Sequence, residues 1–236
     1  MVIESRFALN GDLRIHYLET VSASPLTPVL LCPGLSETAE EYEELIAYLW
    51  PRRCAVLSFR GRGLSDTPAA GYDLKEHVSD IESVVKDAAL HRFHLFAYSR
   101  GVSYALGFAR ANMASVESIM VQDYPAQHKM MPPEWAEEYI NDYLIPYGRT
   151  GNIRPEAVRG IQRESRQADL RFSFPRRLLI LRGMLEGSLI SEQDMDVYRE
   201  MNPGLDEHCF YESAHSIRST EKALLFQTIK QFLGNA

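Results

Sequence analysis

The chain has 236 residues, 45% of them apolar and 24% charged, and a formal net charge of -7. That length and balance suit one α/β domain and argue against a disordered or fibrous chain, while the acidic surplus argues against non-specific binding to nucleic acid. Cys32, Cys54 and Cys209 are odd in number, scattered and without metal-ligand spacing. They read as reduced thiols, so neither a disulfide framework nor a metal site is expected. No basic-then-apolar leader and no run of membrane-spanning length occurs, which predicts a cytoplasmic protein with no membrane partner.

Short β-rich runs punctuate the chain at 7–9, 13–18, 28–32, 55–59, 93–97, 118–122, 178–181 and 208–211. The first two flank Asn10-Gly11-Asp12 and read as an antiparallel hairpin at a sheet edge. From Pro28 onward strands alternate with helical patterns. Thr38-Ala39-Glu40-Glu41 offers a capping box before Tyr42 to Trp50, and Asp73-Leu74-Lys75-Glu76 a similar start before the apolar face of Val78, Ile81, Val84, Val85 and Ala88. Helical spacing recurs after Ser99 (Val102, Ala105, Leu106, Ala109) and at the C-terminus (Ala223, Leu224, Ile229, Phe232, Leu233). Strand and helix alternating in this way predict an α/β fold, a mostly parallel sheet of about eight strands covered by helices on both faces. Residues 1–124 and 177–236 are expected to form this core, and 125–176 an inserted helical lid. Pro132-Pro133 opens one lid helix, with Trp135, Tyr139 and Tyr143 on one face, and Pro155 opens another through about Gln167.

Phe96-Ala97-Tyr98-Ser99-Arg100-Gly101 lies where a predicted strand meets a predicted helix. Small residues two before and two after a serine, here Ala97 and Gly101, let a strained turn push the hydroxyl outward, the geometry of a nucleophile elbow. Leu30-Leu31-Cys32-Pro33-Gly34-Leu35 ends an earlier strand in a glycine turn, where the N–H of Leu35 could join that of Arg100 as an oxyanion hole. The base expected after such an elbow is His215, in a loop between the strand ending near Tyr211 and the last helix. Glu186, past the strand 178–181, is the favoured acid, and Asp123, at the end of the strand 118–122, is its rival. Tyr98, Trp135, Tyr139 and Tyr143, with Met130 and Met131, are the candidate substrate contacts and supply apolar surface.

With these motifs in place the chain resembles the α/β-hydrolase superfamily, in its group of small lidded esterases, lactonases, prolyl aminopeptidases and C–C hydrolases. Ser58-Phe59-Arg60-Gly61-Arg62-Gly63-Leu64-Ser65-Asp66 is similar to that group's Asp-x-Arg-Gly-x-Gly-x-Ser segment, with Ser58 where aspartate is usual. Pro33-Gly34 stands in place of His-Gly, Ala97 in place of glycine and Glu186 in place of the commoner aspartate. The resemblance implies a serine hydrolase that acts on a small-molecule substrate, a small or medium carboxylic ester, without cofactor or metal. A lactonase, aminopeptidase or C–C hydrolase with the same residues is the alternative, and a non-hydrolytic small-molecule sensor on this fold the reading from a different class. The sequence carries no signal for an oligomeric state.

Overall fold

The computed structural model of the protein describes residues 1–234. Eight strands form one sheet in the order β1-β2-β4-β3-β5-β6-β9-β10: β1 (Ile3–Asn10), β2 (Leu13–Thr20), β3 (Val29–Cys32), β4 (Cys54–Leu57), β5 (Phe93–Tyr98), β6 (Val116–Gln122), β9 (Arg177–Gly183) and β10 (Asp206–Phe210). β1 and β2 make an antiparallel edge hairpin turned by Gly11, whose φ of 60° suits a residue without a Cβ, and β2 also runs antiparallel to β4. All later pairings are parallel. This is the sheet expected from the alternation of strand and helix patterns.

Alternation along the strands decides which layer each residue feeds. In β3, Leu30 and Cys32 join one core cluster while Val29 and Leu31 join the other, and in β5 Leu95 and Ala97 oppose Phe96. The period of two sends successive side chains to opposite faces, so a strand buried on both reads as continuously apolar. One face is covered by α2 (Leu74–Asp87), α3 (Gly101–Ala111) and α6 (Glu192–Met201), through Ile81, Val84, Val102, Leu106, Met195 and Tyr198. The other is covered by α1 (Glu43–Tyr48) and α8 (Lys222–Leu233), through Leu45, Ile46, Leu225, Ile229 and Phe232. A fully buried Leu, Ile or Phe contributes about 1.5–3 kcal/mol, so these two clusters carry the stability of the sandwich. The helix α6 was not read from the sequence. Its start is a capping box, Ser191 with Asp194, in which aspartate takes the place of the Glu or Gln usually sought.

Between β6 and β9 the chain leaves the sheet. It forms a two-residue ribbon, β7 (Gln127–His128) against β8 (Ala168–Asp169), then α4 (Trp135–Glu138), a π-helical stretch (Tyr139–Leu144) and α5 (Pro155–Glu164). A separate cluster of Ile140, Leu144, Ile153, Ala157, Val158 and Ile161 packs this excursion on itself and on Tyr72. The wider π turn keeps Trp135, Tyr139, Tyr143 and Tyr147 in register as a ladder with ring centroids 5.3, 5.1 and 5.2 Å apart. No helix of the described residues is long and apolar enough to cross a membrane.

Candidate active site

Adjacent strands end together, and their register builds the site. Cys32 of β3 pairs with Ala97 of β5, Tyr98 of β5 with Gln122 of β6, Gln122 with Leu181 of β9, and Gly183 with Phe210 of β10. The residues that follow each strand therefore gather at one edge of the sheet, where open α/β sheets bind their ligands. Ser99 follows β5 immediately with φ at 51°, a left-handed conformation that a serine adopts only under constraint. Its N–H donates to Gln122 O at 3.0 Å and its C=O accepts from Val102 N–H at 2.8 Å, which holds the turn between strand and helix. A Cβ on Gly101 would come within 2.3 Å of Pro33 O and 2.5 Å of Cys32 O, so only glycine lets α3 begin this close to the end of β3.

That contact joins the turn after β3, which carries the Leu35 amide, to the start of α3, which follows the Arg100 amide. Neither N–H donates to any acceptor among the described residues, although the flanking groups are held firmly. Gly34 N–H donates to Glu37 Oε2 at 2.9 Å, and Arg62 Nε donates to Leu35 O at 3.0 Å. The turn is thus fixed on both sides of the free amide, the arrangement a preorganised pair of donors requires.

His215 reaches the serine from beyond β10. The loop carrying it folds back over the end of β9 so closely that a Cβ on Gly183 would lie 2.1 Å from Ala214 O. Its Nε2 lies 3.0 Å from Ser99 Oγ, and its Nδ1 lies 2.8 Å from Asp123 Oδ2. A carboxylate only accepts, so Nδ1 carries the proton and Nε2 is left to accept from the serine hydroxyl. Tyr98 packs its ring along the imidazole, centroids 5.0 Å apart at 25°. Burial is the first cause that pushes the Tyr98 hydroxyl well above the ordinary tyrosine value, the Glu37 carboxylate the second.

The acid beside the histidine is Asp123, not the favoured Glu186. Asp123 is fully buried with φ at 46°, and it accepts from Ser188 Oγ at 2.5 Å and Leu189 N–H at 3.0 Å as well as from the imidazole. Glu186 sits exposed in the turn after β9, where its side chain makes no hydrogen bond among the described residues. The reason is backbone direction: Met184 and Leu185 donate to Phe210 O and Ser213 O, which turns the chain so that the Ser188 hydroxyl and the Leu189 N–H, rather than Glu186, meet the imidazole's partner.

A cavity of about 430 Å³ opens over Ser99 and His215. Tyr98, Tyr139 and Tyr143 line it, as does Leu35, but Trp135 does not; of the aromatic ladder only the two middle rings reach the cavity. Met130 is exposed, and Met131 Sδ accepts from Arg100 Nη1 at 3.1 Å. The expected apolar lid surface is therefore in part replaced by groups the sequence did not single out, Glu37, Glu41, Arg149 and Arg218. Tyr139 Oη donates to Ser36 Oγ at 2.8 Å and Arg149 Nη2 to Ser36 O at 2.7 Å, which ties the excursion to the glycine turn. Among the described residues no group of three or more His, Cys, Asp and Glu is gathered as a metal would need. Burial raises the thiols of Cys32 and Cys54, the latter to about 12, so both are held as unreactive thiols.

The segment singled out as family-like, Ser58 to Asp66, works as scaffold. Arg60 is buried against Asp80 (Nη2–Oδ1 2.7 Å), and Ser65 Oγ donates to Ser58 O while accepting from His16 N–H.

The profile of the alpha/beta hydrolase family matches residues 29–222. Among solved structures, an esterase from Exiguobacterium antarcticum is 19% identical, with 98% of this chain and 100% of that chain covered and a TM-score of 0.80. An esterase from a Rhodococcus species is 16% identical over 100% and 99% of the two chains with a TM-score of 0.80. An enol-lactonase from Burkholderia xenovorans is 15% identical over 98% and 100%, TM-score 0.79. No curated protein sequence matches the chain. A match that spans the sheet from β3 to β10 with the elbow and the histidine loop, on an eight-stranded sheet of this topology, leaves one assignment: the chain belongs to the alpha/beta hydrolase family.

Proposed function

We propose that the protein is a serine hydrolase that cleaves a small or medium carboxylic ester through an acyl-enzyme. The observation that carries this reading is the unbroken chain Ser99 Oγ to His215 Nε2 (3.0 Å), His215 Nδ1 to Asp123 Oδ2 (2.8 Å), opening on a cavity that Leu35 also lines, while the Leu35 and Arg100 amides have no acceptor among the described residues. Ser99 Oγ attacks the ester carbonyl carbon as its proton passes to His215 Nε2. The carbonyl oxygen takes up the electron pair and is held by the N–H groups of Leu35 and Arg100. Collapse expels the alcohol, which takes the proton from His215, and leaves an acyl group on Ser99. Water then repeats the sequence with His215 as base, and the acid and free serine result. Asp123 keeps the imidazole in the required tautomer and stabilises the imidazolium.

The excursion 125–176 acts as the lid in this reading, and the cavity's volume suits a small or medium acyl group. The unpaired thiols of Cys32, Cys54 and Cys209 suit a cytoplasmic enzyme. The test is labelling with a fluorophosphonate together with hydrolysis of p-nitrophenyl esters of graded chain length. Wild-type protein takes up one label at Ser99 and turns over the shorter esters, and Ser99→Ala does neither; undiminished turnover by Ser99→Ala sinks the reading.

A further inference from the structure

The charged groups around the cavity are unequally used. Glu37 accepts from Arg218 on Oε1 (2.5 Å) and from Gly34 N–H (2.9 Å) and Tyr42 Oη (2.6 Å) on Oε2. Glu41 accepts from Arg149 Nη2 on Oε1 (2.9 Å), and on Oε2 from Thr38 N–H (2.9 Å), Asn152 Nδ2 (3.1 Å) and the same Arg149 nitrogen (3.2 Å). All four carboxylate oxygens are occupied.

The two guanidiniums are not. Each has five N–H donors in a planar fork, yet Arg149 bonds only through Nη2, to Ser36 O and Glu41, and Arg218 only through Nη2, to Glu37. Arg149 Nε and Arg218 Nη1 are buried and without partners, and an unpaired buried donor is unfavourable. About a quarter of each side chain is still exposed, 24% for Arg149 and 25% for Arg218, and both line the cavity with Ser99 and His215. Arg218 is also fixed over the Tyr42 ring, 4.5 Å from its centroid, which holds the guanidinium in place. Acceptors are spent and donors are left over. A ligand complementary to this wall brings acceptors, and the strongest complement to the one unbonded, unburied donor left on each arginine, Arg149 Nη1 and Arg218 Nε, is a carboxylate, which takes a charge-assisted hydrogen bond from either.

We propose that the substrate carries a carboxylate besides the bond that is cleaved, so that the protein is selective for acid esters, and that Arg149 and Arg218 are its specificity-determining residues. The inference rests on the ester-hydrolase reading above. Two ester pairs test it, one for each side of the scissile bond: 4-nitrophenyl hydrogen glutarate against 4-nitrophenyl pentanoate, and 4-acetoxybenzoate against its methyl ester. In the wild type the acid member of at least one pair has the higher kcat/KM by about tenfold or more, a difference one charge-assisted contact readily supplies. That ratio falls to near one in Arg149→Gln or Arg218→Gln. Where a glutamine variant does not fold, Arg→Lys at the same position, which keeps the charge but lacks the fork, lowers the ratio by about threefold or more. Ratios at or below one in the wild type, or a preference that survives substitution of both arginines, overturn the proposal. If none of the four esters is turned over, the hydrolase reading is what fails. Calorimetric titration of the wild-type chain with glutarate and with glutaramide then decides the recognition: tighter binding of glutarate that the arginine variants lose upholds it, and equal binding overturns it.

Discussion

Asp123 and His215 meet at 2.8 Å although 92 residues separate them, because the turn after β6 throws Asp123 into a left-handed conformation beneath the loop that brings His215 back over β9. The carboxylate has no exposed surface and takes donors from Ser188, Leu189 and the imidazole. It is thus bound as firmly as the backbone around it, and the imidazole inherits that rigidity.

Replacing Asp123 by Asn keeps the shape of the side chain but offers the imidazole Nδ1–H a neutral acceptor or, with the amide reversed, a second donor that forces the other tautomer. In ester hydrolysis kcat is expected to fall about 10³- to 10⁴-fold with the far-ultraviolet dichroism unchanged. Glu186→Gln, on an exposed turn, is expected to stay within about twofold of wild type. Steady-state kinetics of both variants on one ester checks this, and the opposite order would return the acid's role to Glu186.

That pair also shows where the sequence is legible. The elbow was readable because its constraints are local: Ala97, Ser99 and Gly101 stand at fixed offsets between a strand and a helix, and small size at two of them is a steric demand. His215 was readable by chain order and by its place between the last strand and last helix. Choosing between Asp123 and Glu186 required the direction of two turns, and that depends on Met184 and Leu185 bonding to carbonyls of the β10 loop, contacts between distant segments that no spacing encodes. The same holds for Arg149 and Arg218. Both look like ordinary surface charges in sequence, and only the closing of the excursion and of α7 (Ile217–Thr220) over the glycine turn brings them to the cavity. Trp135 is the reverse case: helical periodicity put it with Tyr139 and Tyr143, but only those two middle rings of the ladder line the cavity.

Gly101 gives a sharp test of how tightly β3, β5 and α3 are joined. A methyl group there meets backbone, Pro33 O at 2.3 Å and Cys32 O at 2.5 Å, and backbone cannot swing away as a side-chain end can. Gly101→Ala is expected to lower stability by about 1–3 kcal/mol in urea denaturation and to cut kcat as well, since the displaced carbonyls carry the Leu35 turn. Gly151→Ala, with open space around its Cβ, is the matched control and should be near neutral.

Arg62 lies fully buried behind the glycine turn, donating to Leu35 O (3.0 Å) and Arg60 O (2.7 Å), with Nη1 2.9 Å from His77 Nε2. An arginine only donates, so His77 Nε2 accepts there and its Nδ1–H donates to Asp73 O. Desolvation is the main cause holding the His77 ring well below the usual histidine value, with the Arg62 charge next. Arg62→Met fills the volume but frees the Leu35 carbonyl. The expected result is a kcat lower by about tenfold or more with KM nearly unchanged, because in the proposed mechanism the amide next to that carbonyl acts on the developing oxyanion and not on bound ester. An equal change in KM alone would show that Arg62 serves substrate binding instead.

Acid should weaken the fold before it protonates the carboxylates, and the sign follows from three histidines that are held neutral. Desolvation is the largest cause in each. It acts with Arg62 on His77, with Arg52 on His94 and with Arg100 on His128, and lowers His94 to about 4 and His128 to about 3 from an ordinary value of 6.5. Above pH 6.5 these rings are neutral in both the folded and the unfolded chain and stability is full. Below it the unfolded chain binds protons that the folded chain refuses, so stability declines as pH falls from 6.5, until His94 protonates in both states near 4 and His128 near 3. For the fully buried His128 the loss is on the order of 1 kcal/mol per pH unit. Thermal melts followed by circular dichroism from pH 7.5 to 4.5 should show Tm level down to about 6.5 and falling steadily below it. His128→Gln, which can keep one hydrogen bond to Ser103 without a titrating ring, should flatten that slope; a wild-type Tm that is level or rises as pH falls from about 6.5 to 4.5 would mean the buried rings are already charged.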